Sequence, residues 1–385
     1  MAVLPDTLET GGFGLYLHWP FCQAKCPYCD FNSHVVASVD QARWAAAFEK
    51  EIDRIANLTS DRVLNSVFFG GGTPSMMDVS TVERILSRIQ KRWRLANDLE
   101  VTLEANPTSI EAQRFSGYHL AGVNRVSVGV QALNDIDLRA LGRLHTASEA
   151  LAAMEIARAT FNRVSFDLMY ARQNQSVGEW QAEISNALEL EPDHLSLYQL
   201  TVEDGTAFGE RLKRGLLRGL PNEDLGADLW DITQNACDTA GLPAYEVSNH
   251  SKVGQESRHN LIYWRSGDWA GIGPGAHGRL TLDGIRRETV CVKSPGLWIT
   301  QVETGALHLD KGSPLEPSAI LEERVLMGLR MVEGIDMPIN WIIGKNNEIN
   351  ELVSLDHLKI CKNRLTVTAQ GRPVLNAIIS HLLTD

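Results

Sequence analysis

Residues 16–32 read YLHWPFCQAKCPYCDFN, and this stretch decides how the rest of the chain is understood. Cys22, Cys26 and Cys29 stand in it as C-x3-C-x2-C. Three thiolates on one loop can hold three corners of an iron–sulfur cluster, whose irons normally take four cysteines. The fourth iron then stays open to another ligand. Two plainer readings use the same residues. A C-x2-C pair is often half of a structural zinc site, with His18 or His34 as further ligands. A disulfide would need an oxidising compartment. The N-terminal MAVLPDTLETGGFG carries Asp6 and Glu9 and lacks the apolar core of a signal peptide, which speaks against it.

Composition narrows the class. With 385 residues the chain exceeds an average domain, so two domains or a large barrel with an appendage is expected. A hydrophobic content of 44% allows a sizeable core. The net charge of -12 and pI of about 5.4 argue against a nucleic-acid partner that depends on a basic surface. No run of eighteen apolar residues occurs, so no transmembrane segment is expected. Six cysteines, three of them in one loop, fit a reducing cytoplasm. Cys237, Cys291 and Cys361 are scattered and read as buried apolar residues.

Outward from the cysteine loop, short β-branched or aromatic runs alternate with amphipathic stretches to about residue 200. Strands are predicted at 15–19, 66–69, 99–104, 125–130, 163–169 and 194–200. Helices are predicted at 40–57, 78–93, 109–120, 148–160 and 177–190. A repeated βα order with near-continuous apolar strands implies a parallel sheet covered by helices. In such folds the chemistry collects at the C-terminal strand ends. The cysteine loop follows strand one there, and Gly70-Gly71-Gly72-Thr73-Pro74-Ser75 follows strand two, where glycines let backbone approach a ligand. Glu104-Ala105-Asn106-Pro107 ends strand three, with a carboxylate able to hold an ammonium group.

The cysteine spacing, Tyr28 before the last cysteine and the leading Y-x-H-x-P-F-C resemble the radical SAM superfamily. They are most similar to the subgroup of oxygen-independent coproporphyrinogen III oxidases and HemW-like heme chaperones. The resemblance implies an α/β fold, an open partial (β/α)6 barrel, and a [4Fe-4S] cluster on Cys22, Cys26 and Cys29. It also implies S-adenosyl-L-methionine (SAM) at the open iron, lined by Tyr16, Gly71, Gly72, Thr73, Glu104, Gln131, Arg143 and Asp167. Without the family, Arg143 and Asp167 would read as ordinary salt-bridge residues and Tyr16 as core.

Within the subgroup two departures favour the chaperones. Phe31 stands where the oxidases have a fourth cysteine, and only 21 residues precede Cys22, where the oxidases carry a long segment. A third departure, Tyr170–Gln175 in place of a G-L-P-x-Q turn, leaves that loop's shape open. Residues 259–264, HNLIYW, fit the H-N-x-x-Y-W motif associated with heme in the chaperones, which implicates His259, Tyr263 and Trp264. A histidine can be an axial iron ligand and aromatic rings can pack on a porphyrin; His250 and His277 are rival ligands. The glycine-rich 271–278 loop is placed near the barrel mouth by the resemblance.

Three domains are expected: the barrel at 1–220, an extension carrying the HNLIYW motif and glycine-rich loop at 221–308, and a C-terminal winged-helix-like domain at 309–385. Residues 201–224 read as a helical linker whose basic RLKRGLLRG is a solvated face. The last domain shows helices at 322–332, 349–358 and 372–383 and a strand at 365–368; the acidic balance favours a lid or docking role over DNA binding. The resemblance implies a cytoplasmic heme chaperone that passes heme to a recipient hemoprotein, respiratory-chain proteins being candidates. Its alternative is an oxidase of porphyrin biosynthesis that uses a SAM-derived radical. A homodimer is compatible with either reading, and no residue marks its contact.

Overall fold

The computed structural model describes residues 11–307 and 310–384, so the reading of the N-terminal ten residues lies outside the described part. Six βα-type strands form as expected: β1 (Phe13–Trp19), β2 (Val63–Gly71), β3 (Arg94–Ala105), β4 (Arg125–Gln131), β5 (Arg163–Tyr170) and β6 (His194–Gln199). They lie in parallel in that order. Helices start where the local chemistry offers a cap. The helix Gln41–Thr59 follows Asp40, which accepts from the Arg43 N–H. Those at Ala147–Thr160 and Val177–Glu189 open on capping boxes, Thr146 with Glu149 and Ser176 with Glu179.

The strands alternate rather than running apolar throughout. Outward residues such as Leu15, Leu17, Val67, Phe69, Leu103, Val126, Phe166 and Leu195 are buried in the main core. The intervening positions, Tyr16, His18, Ser66, Glu104, Ser127, Asp167 and Ser196, therefore face the opposite, barrel-interior side of the sheet. The sheet has one greasy face and one polar face, which corrects the expectation of near-continuous apolar strands.

The sheet is also larger than six strands. Beyond the barrel come β7 (Asn249–Ser251), β8 (Asp268–Ile272), β9 (His277–Leu282), β10 (Ile285–Val290) and β11 (Ser313–Pro314). β8 pairs in parallel with β1, from Phe13 opposite Asp268 to Leu17 opposite Ile272, so it extends the sheet on the far side of β1. β9, β10 and β11 continue it antiparallel, and β7 closes the other edge against β6. The eleven strands run β11-β10-β9-β8-β1-β2-β3-β4-β5-β6-β7.

Other boundaries differ for visible reasons. The helix expected at 109–120 breaks into Ser109–Ala112 and Phe115–Ala121, the second ending at Gly122 with φ 114°. The expected 201–224 helical linker is helical at Ala207–Lys213 and again only from Glu223, where the helix Glu223–Thr239, which the sequence reading missed, begins. The C-terminal part has its own core of Val325, Leu329, Ile349, Leu365 and Leu382, and a three-stranded antiparallel sheet of β12 (Ile335–Asp336), β14 (Arg364–Val367) and β13 (Leu358–Cys361). Its α-helices among the described residues run Pro317–Gly328, Ile339–Gly344, Asn346–Ser354 and Leu375–Leu383, so Leu358 begins a strand instead of ending a helix. Arg286, 1% exposed, ties this part to the barrel by pairing with both Asp268 (3.0 Å) and Glu323 (3.2 Å). No helix among the described residues is long and apolar enough to cross a membrane.

Candidate functional site

The Y-x-H part of the cysteine motif works as a staple. His18 Nε2 lies 2.9 Å from the Asn32 carbonyl, which can only accept, so Nε2 carries the proton and Nδ1 accepts from the Tyr16 hydroxyl at 3.0 Å. The Asn32 amide in turn donates to the carbonyls of Pro274 and Lys293, both at 2.9 Å. Both ends of the cysteine loop are thereby fixed, at β1 and at the glycine-rich 271–278 loop. Two glycines are required by this packing. Gly71, at φ 109°, would set a Cβ 2.6 Å from the His18 ring, and Gly275, at φ 77°, would set one 2.7 Å from the Asn32 amide. The pairing of Phe21 and Cys22 with His34 and Val35 closes the loop on itself.

A cavity of about 320 Å³ opens at the C-terminal strand ends. Cys22, Cys26 and Cys29 line it together with Gly71, Gly72, Thr73, Glu104, Gln131, Arg143 and Asp167. All six cysteines are free thiols, so the disulfide reading has no pair in this structure. Among the described residues no three His, Cys, Asp or Glu side chains converge on a single-ion site. The three thiols line one shared cavity, where a multi-iron cluster would take one thiolate per iron. Tyr16 is not among the lining residues; it lies below, between His18 and the barrel floor. Sequence reasoning missed Ser127, Met169 and Tyr198, which also line the cavity. Their inward positions on β4, β5 and β6 were the available signal.

Local backbone aims several of these groups. Gln131 adopts φ 73°, a left-handed conformation uncommon for a side-chain-bearing residue, where the β4–β5 register shifts. Arg143 is held from two sides, donating to Asn106 Oδ1 at 2.6 Å and to the Gly129 carbonyl at 3.0 Å. Its other terminal nitrogen donates to Cys26 Sγ at 3.4 Å. Glu104 accepts from the Gly71 N–H at 3.3 Å, tying strand three to the glycine turn.

Electrostatically the cavity is prepared for a cation. Burial pushes the Glu104 carboxyl up to about 8, and neighbouring Asp167 adds to the shift. Burial likewise lifts Asp167 to about 6 against the hydroxyls of Ser196 and Ser127, the latter at 3.2 Å. Asp167 disfavours the ionisation of enclosed Glu104, while the Arg125 and Arg143 charges favour that of Asp167; a positively charged ligand beside the pair relieves the Glu104 penalty. An ammonium and sulfonium ligand such as SAM meets that requirement, so the residues present fit both the cluster and the nucleoside.

The HNLIYW stretch lies elsewhere. It forms the short helix Arg258–Trp264, whose His259 enters the barrel interior from the opposite end. His259 is 1% exposed, stacks on Phe68 at 5.0 Å, and has both ring nitrogens engaged, with Ser66 Oγ at 2.7 Å and Tyr263 Oη at 2.6 Å. Burial drives its pKa down to about 3. Glu100 accepts from the Arg258 and His259 N–H groups, both at 3.1 Å, and pairs with Arg163 at 2.5 Å. As folded, His259 and Tyr263 close the barrel floor and leave neither nitrogen of the His259 imidazole free for iron, while Trp264 Nε1 is buried without a partner among the described residues. Of the rivals, His250 is also 1% exposed and His277 is exposed.

Comparison with known proteins agrees with this geometry. The radical SAM superfamily matches residues 16–182. The chain is 36% identical to a bovine protein named radical S-adenosyl methionine domain-containing protein 1, mitochondrial, over 96% of this chain and 87% of the relative. It is 33% identical to the heme chaperone HemW of Escherichia coli K12 over 96% and 98%, and 40% identical to that of Haemophilus influenzae over 69% and 70%. The solved structure of E. coli coproporphyrinogen III oxidase, HemN, shares the fold with a TM-score of 0.80 at 20% identity, covering 97% of this chain and 90% of the other. A thiol-lined cavity at the strand ends and near-full-length similarity lead to one assignment: this chain belongs to the radical SAM superfamily, among the HemW-like proteins.

Proposed function

We propose that this protein is a heme chaperone that carries a [4Fe-4S] cluster on Cys22, Cys26 and Cys29 and binds SAM in the barrel mouth. The observation that carries the reading is Phe31. It stands two residues after Cys29, 56% exposed, where the oxidase pattern has a fourth cysteine. When bound, the cluster and SAM would supply a regulatory or slow redox function, with Glu104 and Asp167 as the anionic wall for SAM and Gly71 and Gly72 allowing close approach. Heme is the cargo, and a hemoprotein is its recipient. His277 is the axial ligand we favour, because it is exposed whereas His259 and His250 are enclosed. On this reading the HNLIYW stretch serves the heme site indirectly, by holding the barrel floor and β8. Residence in a reducing cytoplasm belongs to the same proposal, and six free thiols support a reducing compartment.

The test offers heme and coproporphyrinogen III in parallel, anaerobically, to cluster-reconstituted protein. Stoichiometric heme uptake and transfer to an apo-hemoprotein, with no protoporphyrinogen formed, is expected. SAM-dependent multiple-turnover decarboxylation without specific heme uptake would replace this reading with the oxidase.

A further inference from the structure

Each of the three cluster cysteines meets a hydrogen-bonding side chain outside the motif. Thr73 Oγ1 donates to Cys22 Sγ at 3.4 Å, Arg143 Nη1 donates to Cys26 Sγ at 3.4 Å, and Ser33 Oγ stands 4.0 Å from Cys29 Sγ. These partners come from three different parts of the fold: the turn after β2, the segment after β4, and the cysteine loop itself. Ser33 and Thr73 are each 7% exposed, so both hydroxyls are held inside the fold. The Arg143 guanidinium is held in place by Asn106 and Gly129, which accept from its other terminal nitrogen. Its segment is pressed on the cysteine loop at Gly142, whose φ is 71° and whose Cβ would lie 2.6 Å from Pro27.

We propose that Thr73, Arg143 and Ser33 form a hydrogen-bond shell that sets the reduction potential of the cluster. The inference rests on the cluster assignment above. One-electron reduction by an external donor adds negative charge that is shared by the ligand sulfurs. Donors aimed at those sulfurs stabilise the reduced form more than the oxidised one and so raise the potential. Arg143 contributes a full charge and a rigid fork, so its share is the largest. None of the three is a catalytic residue in this role; each acts through a ligand.

The experiment is an EPR-monitored potentiometric titration of the reconstituted full-length protein without SAM, using S33A, T73V and R143M. Loss of either hydroxyl should lower the equilibrium constant for reduction about threefold, the worth of one neutral hydrogen bond. R143M should lower it about tenfold, which is 59 mV for a one-electron couple. T73S, which restores the hydroxyl, should return the wild-type value. Equilibrium constants for reduction within about twofold of wild type for all variants, at equal iron and sulfide content, would overturn the proposal. If R143M assembles no cluster, S33A and T73V decide. Failure of the wild-type protein to form a [4Fe-4S] spectrum would instead remove the cluster assignment itself.

Discussion

Replacing His259 by alanine separates a structural histidine from a heme ligand. The imidazole makes two short hydrogen bonds, to Ser66 and Tyr263, and stacks on Phe68 with the rings 22° apart. Its removal leaves the Ser66 hydroxyl, on a residue with no exposure, and the Tyr263 hydroxyl without their partner. Each such orphan costs about 1–3 kcal/mol, and the lost ring contact about 0.5–1.5 kcal/mol more. Water entering the polar void recovers part of this, so a net loss of about 3 kcal/mol is expected. That is a large share of the roughly 5–15 kcal/mol typical of a folded protein. The assay is urea unfolding of the apo protein followed by tryptophan fluorescence, paired with heme titration at low temperature. H259A should unfold at markedly lower urea yet still take up one heme, whereas H277A should unfold like the wild type and lose heme. An H259A protein as stable as wild type that binds no heme would refute the reasoning and restore His259 as the ligand.

Three further outcomes follow from the same interior. Burial holds His259 at about 3 and His145 and His250 at about 4, so their stabilising neutral forms are complete above about 6.5 and are lost as pH falls toward 4. Glu104 works in reverse: its folded value of about 8 lies above the ordinary range, so stability drains away as pH rises from about 4.5 through 8. The unfolding midpoint of the apo protein should therefore peak near pH 6.5, measured across a pH series; a plateau to pH 9 would contradict the Glu104 placement. E104Q should flatten the alkaline limb and be at least about 1 kcal/mol more stable than wild type above pH 8, while SAM binding measured by calorimetry falls at least about tenfold. G275A should displace Asn32, so that reconstituted iron content drops by half or more, about the effect of N32A; full iron loading in both would show that the staple is dispensable.

The chain alone made much of this protein legible, because its signals are local. Cysteine spacing, the glycine run after an aromatic strand and the E-x-N-P strand end mark the positions that line the cavity, and capping residues mark several helix starts. The six βα units were readable from their period for the same reason. β8 was not, since five residues carry no sign that they pair with a strand some 250 positions earlier. Helix Glu223–Thr239 goes unassigned beyond a linker ending at 224, and the four-residue strand Leu358–Cys361 is missed where a helix is expected to end at 358, short strands being ambiguous by pattern.

Burial direction was the larger gap. Position within a motif says that His259, Tyr263 and Trp264 belong together, but not whether the imidazole faces solvent or the barrel interior. That choice follows from the crossing of their helix over Ser66 and Phe68, nearly two hundred residues away. The same holds for Arg143, whose contact with Cys26 depends on how Gly142 seats against Pro27. The sequence by itself determined which chemistry the strand ends can hold, because ligand spacing and turn residues act over a few positions. Only the tertiary structure decided which side chains meet across the barrel, because those pairings depend on strand order and on which face of the sheet each residue takes.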